Sequence, residues 1–381
     1  MPPSRVRNFS TSVLGRFDWL HRGVSWDVSY TILTPDHSKQ FRGTVVMFPS
    51  TTLLSSREEW RSCGEYLSDL GYRIFLFDWP GWHKRNVPLN WSMEDDVRDQ
   101  KLVSAFADYA YTALLHSYSE NGDTSIHVVA AGGNSAIHAS RAIRELRNEG
   151  RLFHSLTCFT PAWRFYLPRT VPEGYPRKLQ LRKTVASWFL LNGFIRSSLA
   201  FRLYRSKFTI SKLTRRLYEE KIQRNPDLLD SKREVIMRDR PLSLDAAMIL
   251  GKFDCVSSTP DLLKELLDIK TSYGNTEHED SDDDDGLLNI RVPSLPANVE
   301  ERDADQAALN VCIVFPQDVV KKDREELRVI REWAEHHRVR TEEMPGKILC
   351  HEESPAISAT ILDGFFGELD LMHKASHNIS S

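Results

Sequence analysis

Residues 125–142 read SIHVVAAGGNSAIHASRA. Ile126 to Ala131 is an apolar run of strand length, and Gly132-Gly133-Asn134 interrupts it. Ala136, Ala139 and Ala142 then recur at helical spacing, so the small side chains share one face. A strand, a tight glycine turn and a helix with a small-residue face can cross at short range. That is the layout of a nucleophile elbow, in which a strand-to-helix turn presents a reactive side chain above a sheet. In this stretch the place of the nucleophile is read as Asn134.

The flanking sequence repeats the alternation of strand and helix. Trp19 to Leu33 carries alternating apolar residues and predicts two opening strands. Thr44 to Phe48 is a continuous apolar run, as in a strand buried on both faces. A helix is predicted over 55–70, with Ser55 or Ser56 as its cap and Glu58 and Glu59 near the positive end of its dipole. Gly71 stops it before a strand over 72–77. A long amphipathic helix over 93–117 leads to the opening stretch, and Leu156 to Thr160 is a further strand. Strands over 311–315 and 339–344 and helices over 321–337 and 358–372 close the chain. The succession predicts an α/β fold, a mostly parallel sheet flanked by helices and wound by right-handed crossovers.

Two segments break the pattern. From 164 to 227 the chain is rich in Arg and Lys, and Val185 to Phe208 is dense in aromatic and aliphatic residues. This basic excursion is expected to form a helical lid. Residues 228–274 return to the core as helices. Residues 275–309 hold the acidic run EHEDSDDDD (277–285) and read as a disordered insertion. The core is thus divided into 18–163 and 310–372, with a tail over 373–381. Residues 1–17 carry three arginines, several hydroxyls and no acid, the composition of a disordered or transit-like terminus.

Composition narrows the function. A net charge of -3 gives no global bias towards nucleic acid or membranes. The five cysteines are scattered without a CxxC pair, which suits buried thiols better than a zinc site or a disulfide framework. No metal-ligand spacing, P-loop or dinucleotide fingerprint occurs, so no cofactor is expected.

TVVMFPS (44–50), YRIFLFDWPGW (72–82), HVVAAGGNSA (127–136), VCIVFPQD (311–318) and MPGKILCHEESP (344–355) together resemble the α/β-hydrolase superfamily. They look most like a plant and algal, often plastid-targeted subgroup with a DWPG loop and a serine-less elbow. The resemblance implies a plastid location, while the terminus alone fits mitochondria or cytosol as well. It also implies where catalytic groups would stand. The elbow aligned on Gly132 puts Asn134 at the nucleophile. Phe48-Pro49 replaces the usual His-Gly after the third strand. The usual histidine falls at Ile348 or Leu349, and Asp318 stands near the usual acid.

Several residues remain as candidates. A register one residue later makes Ser135 the nucleophile, with His138 one helical turn away; otherwise Ser135 caps the helix. His351 could reach the pocket rim, or belong to a HEE-x-P tail that starts the last helix. Asp254 could face the pocket as an acid, or cap the next segment. Cys158 and Cys350 lack a histidine partner. Phe48, Pro49, Gly132, Gly133 and Asn134 would line a ligand site, because backbone N–H groups at a helix start bind anions. Three functions follow. The first is a pseudoenzyme that binds a small hydrophobic or lipid-like ligand under the lid. The second is an atypical serine hydrolase of esters or lipids. The third is a membrane-surface protein that uses the basic lid. No nucleic-acid partner is expected, and the oligomeric state is open.

Overall fold

The structure is a computed structural model. It describes residues 11–80, 102–119, 125–161, 206–220, 230–235, 267 and 309–380, less residues 22, 53, 133, 233 and 320. Asp254, Gly133, the acidic run and most of the basic excursion lie outside the described residues.

Eight strands form one sheet. They are β1 (Thr11–His21), β2 (Val24–Thr34), β3 (Gly43–Phe48), β4 (Tyr72–Phe77), β5 (Ile126–Ala130), β6 (Ser155–Phe159), β7 (Asn310–Pro316) and β8 (Arg340–Met344). Their spatial order is β1-β2-β4-β3-β5-β6-β7-β8. β1 and β2 form an antiparallel hairpin, and β2 runs antiparallel to β4. All later pairs are parallel. The predicted mostly parallel sheet is therefore present. β1 begins at Thr11, inside the stretch expected to be disordered or transit-like. The correction has a physical cause: Phe17 and Trp19 alternate towards the core, and all eleven β1 residues pair with β2.

Helices cover both faces. α1 (Arg61–Asp69) follows a short 3-10 turn over Arg57–Trp60, and α2 (Leu102–Ser119) precedes β5. α3 (Ser135–Asn148) follows β5, and α4 (Lys207–Leu217) comes from the basic excursion. α5 (Lys321–His336), α6 (Cys350–Glu353) and α7 (Pro355–Ser380) complete the described set. The period-2 alternation of the strands sorts the core into two layers. Val46, Phe48, Val128 and Ala130 pack under α2 and α3, beside Phe106, Tyr109, Ala136 and Ala139. Val45, Met47, Val129 and Ala131 face the other way, onto Cys63 and Leu67 of α1 and Leu362 and Phe366 of α7. Both faces of the central strands are dry, which explains their continuous apolar runs.

Gly71 turns α1 into β4 at φ +104, where a side chain is strained. A Cβ there would lie 2.3 Å from the Gln40 carbonyl oxygen. Gly71→Ala is expected to lower unfolding stability by about 2–4 kcal/mol in urea titrations, since strain and overlap add. A change under a few tenths would mean that the turn relaxes freely.

Candidate functional site

In an open parallel sheet, ligands bind in the crevice beyond the carboxyl ends of the strands. Here that place is where β3 and β5 end and the chain turns into the 3-10 segment and α3. Two indoles fasten the end of β3. Trp60 Nε1 donates to the Phe48 carbonyl at 2.8 Å, and Trp79 Nε1 donates to the Pro49 carbonyl at 2.9 Å. Asp78, beside Trp79, accepts the Arg57 N–H at 2.8 Å, and its own carbonyl accepts the Tyr109 hydroxyl at 2.6 Å. The Asp-Trp-Pro segment after β4 thus anchors the loop after β3.

Three N–H groups around the crossing already have acceptors. Ser50 N–H donates to Glu59 Oε2 at 3.0 Å. Thr51 N–H donates to the Gly132 carbonyl at 3.2 Å, and Asn134 N–H donates to Thr51 Oγ1 at 2.8 Å. The loop after β3 and the turn after β5 are therefore stitched together.

Gly132 stands where β5 gives way to the turn. A Cβ on Gly132 would meet the Thr160 carbonyl at 3.4 Å and the Ile348 side chain at 3.7 Å. These are ordinary contacts, so there is room for a side chain between Thr160 and Ile348. Asn134 lies two residues on, at the N-cap of α3, with φ -80 and ψ 1. It is buried and has no strained backbone. Ser135 opens α3 and is fully buried, and its Oγ has no hydrogen-bond partner among the described residues. Neither nitrogen of His138 has one either. The i, i+3 pair thus makes no hydrogen bond. His138 instead packs against Trp79 and Phe106 at centroid distances of 5.5 and 5.6 Å. Burial pulls its pKa down to about 3, so the ring is neutral.

The other candidates are dispersed. Asp318 is exposed, and its backbone N–H donates to the Gly346 carbonyl at 3.0 Å. Cys158 and Cys350 are buried, and burial raises both thiols, Cys350 to about 12, so neither is a thiolate. His351 sits in α6 and is enclosed, not at a rim. Its ring lies on Trp60, with centroids 4.2 Å apart. Pro355 opens α7, the place where proline suits a helix start.

Sequence reasoning missed the most unusual group at this end of the sheet. Glu59, assigned there to a helix dipole, is buried. It accepts the Ser50 N–H and, at Oε1, the Ser50 hydroxyl at 3.1 Å. Its Oε2 lies 3.5 Å from His351 Nε2, a close approach without hydrogen-bond geometry. Burial opposes the Glu59 charge, but His351, Lys232 and the Ser50 N–H together hold its carboxyl below the ordinary 4.5. Nearby, Lys232 Nζ pairs with Glu352 at 2.7 Å, and the Tyr218 hydroxyl donates to Glu352 at 2.6 Å. Leu54, Ile210, Leu217, Tyr218 and Leu349 pack into an apolar cluster with Ile348 at its edge. A segment of the basic excursion, α4, therefore rests on the same end of the sheet. The only advance signal for Glu59 was its place beside Trp60, at the start of a segment whose next turns face inward.

A carboxyl depressed in the native state stabilises above its unfolded value, and that stabilisation is lost as pH falls through the native value. Glu59→Gln should therefore lower stability by about 2–4 kcal/mol at pH 7. The gap to wild type should narrow as pH drops below 4.5, as read by urea titrations at several pH values. A gap independent of pH would rule out a charged Glu59.

Neither a scan of protein-family models nor a search of curated proteins gives a match. Solved structures do. A proline iminopeptidase of Mycobacterium smegmatis superposes with a TM-score of 0.54 at 11% identity, covering 94% of this chain and 100% of that one. A haloalkane dehalogenase variant from Bradyrhizobium elkanii gives 0.52 at 12% identity, over 94% and 99% of the two chains. A thioesterase domain from the curacin biosynthetic pathway gives 0.51 at 12% identity, over 92% and 99%. At these identities the likeness concerns architecture alone. Together with the strand order and the helices on both faces, it shows that this chain has the α/β-hydrolase fold.

Proposed function

We propose that this chain is a non-hydrolytic protein built on the α/β-hydrolase fold, and that it holds a small apolar or acyl ligand beneath the basic excursion. The observation that carries the first half is the pairing of Gly132 with Ile348. In hydrolases of this fold the nucleophile stands on the strand-to-helix turn, with a histidine opposite it. Gly132 is taken as the residue at that turn, in place of Asn134, and Ile348 as the residue opposite. Neither can attack or transfer a proton. The oxyanion site of such enzymes uses an N–H from the loop after the third strand. The Ser50 N–H of this chain already serves Glu59, which favours the same reading.

For the second half, the support is the apolar cluster of Leu54, Leu217 and Leu349 with Ile348 at its edge, into which the excursion's α4 packs. Such apolar surroundings suit an alkyl or acyl group better than a charged one. The hydrolase alternative needs Ser135, whose hydroxyl is enclosed and, among the described residues, has no base within hydrogen-bond reach.

An ester and thioester panel on the purified full chain should give no turnover above background and no change in Ser135→Ala. Robust turnover lost in Ser135→Ala would overturn the non-hydrolytic reading. Organic extraction of the native protein followed by mass spectrometry should release an apolar molecule in near-stoichiometric amount. The delipidated chain should then bind a fluorescent fatty-acyl probe. If it does not, the ligand reading fails while the non-hydrolytic one stands.

A further inference from the structure

β1 is the edge strand of the sheet, and among the described residues it pairs with β2 alone. Exposed strand edges are templates for further pairing, and soluble proteins usually blunt them. This one spans eleven residues and displays Val13, Leu14 and Leu20 at 49%, 56% and 55% exposure. On the face turned from the core, the row reads Leu14, Arg16, Asp18, Leu20. It is apolar at both ends and carries opposite charges in the middle, arranged about Phe17.

Inside one copy that row is electrostatically unbalanced. Asp18 stands directly opposite Asp27 of β2, and like charges opposite one another disfavour pairing. Arg16 reaches Asp27 at 3.5 Å, with both side chains mostly in solvent. A second cation beside Asp18 would improve the row.

We propose that β1 pairs antiparallel with β1 of a second copy of this chain, about a two-fold axis at Phe17, so that the two sheets become one. In this register Arg16 faces Asp18 of the second copy, Asp18 faces its Arg16, and each Leu14 meets a Leu20. Phe17 and Trp19 of both copies keep to one side, so the core faces stay continuous. Moving the axis to Arg16 would set arginine against arginine, and moving it to Asp18 would set aspartate against aspartate. The charges that discourage other edge pairings thus select this one.

Sedimentation velocity of the full chain over a concentration series should show a monomer–dimer equilibrium. Arg16→Asp and Asp18→Arg should each weaken it by about tenfold or more. Mixing the two variants should restore a heterodimer, since each then offers the charge that the other lacks. Circular dichroism checks that both fold. If Arg16→Asp fails to fold beside Asp27, Leu14→Lys replaces it and should also release the dimer. A monomer at every concentration, a dimer indifferent to these changes, or folded charge variants that do not pair when mixed would each overturn the proposal.

Discussion

The buried N–H of Ser50 must have an acceptor, and in this chain it is the carboxylate of Glu59. Much of the upper sheet follows from that bond. A buried carboxylate needs compensating partners, and Glu59 finds the Ser50 hydroxyl and the His351 ring. His351 packs on Trp60 with the rings tilted by 31°, and Trp60 in turn donates to the last carbonyl of β3. The loop after β3 is thereby fixed to α6, which lies near the other end of the chain. Removing the carboxylate would leave the Ser50 N–H enclosed without its acceptor, the costly side of hydrogen-bond energetics.

This arrangement separates architecture from chemistry. The crossing of β5 and α3 needs small residues and supplies them at Gly132, Ala136 and Ala139. Catalysis at such a crossing needs more: an exposed nucleophile, a base and free donors. On the proposed reading these three places hold a glycine, an isoleucine and an N–H already engaged by Glu59. The apolar cluster around Leu349 and α4 then becomes the natural partner for a ligand without reactive demands. A fold shared with peptidases, dehalogenases and thioesterases does not by itself assign any of their reactions.

The sheet was legible because its signals are local. Continuous apolar runs marked β3, β4, β5 and β7, and period-2 alternation marked the hairpin. Boundaries were less so. β1 starts at Thr11 because Phe17 finds its partners across the sheet, which no short window reveals. The small-residue turn was readable, but the residue that faces Ile348 was not, since direction depends on backbone dihedrals. Glu59 was the larger omission. Its burial arises from Ser50, nine residues before it, and from His351, nearly three hundred residues after it. A carboxylate enclosed by such distant groups looks in sequence like any acid at a helix start.

The central claim is that no activated serine stands on this crossing. Its most direct test is intact-mass measurement of the full chain after exposure to a fluorophosphonate, which captures activated serine nucleophiles covalently. The account predicts an unshifted mass under conditions that fully label a control serine hydrolase. A stoichiometric adduct that disappears in Ser135→Ala would contradict it.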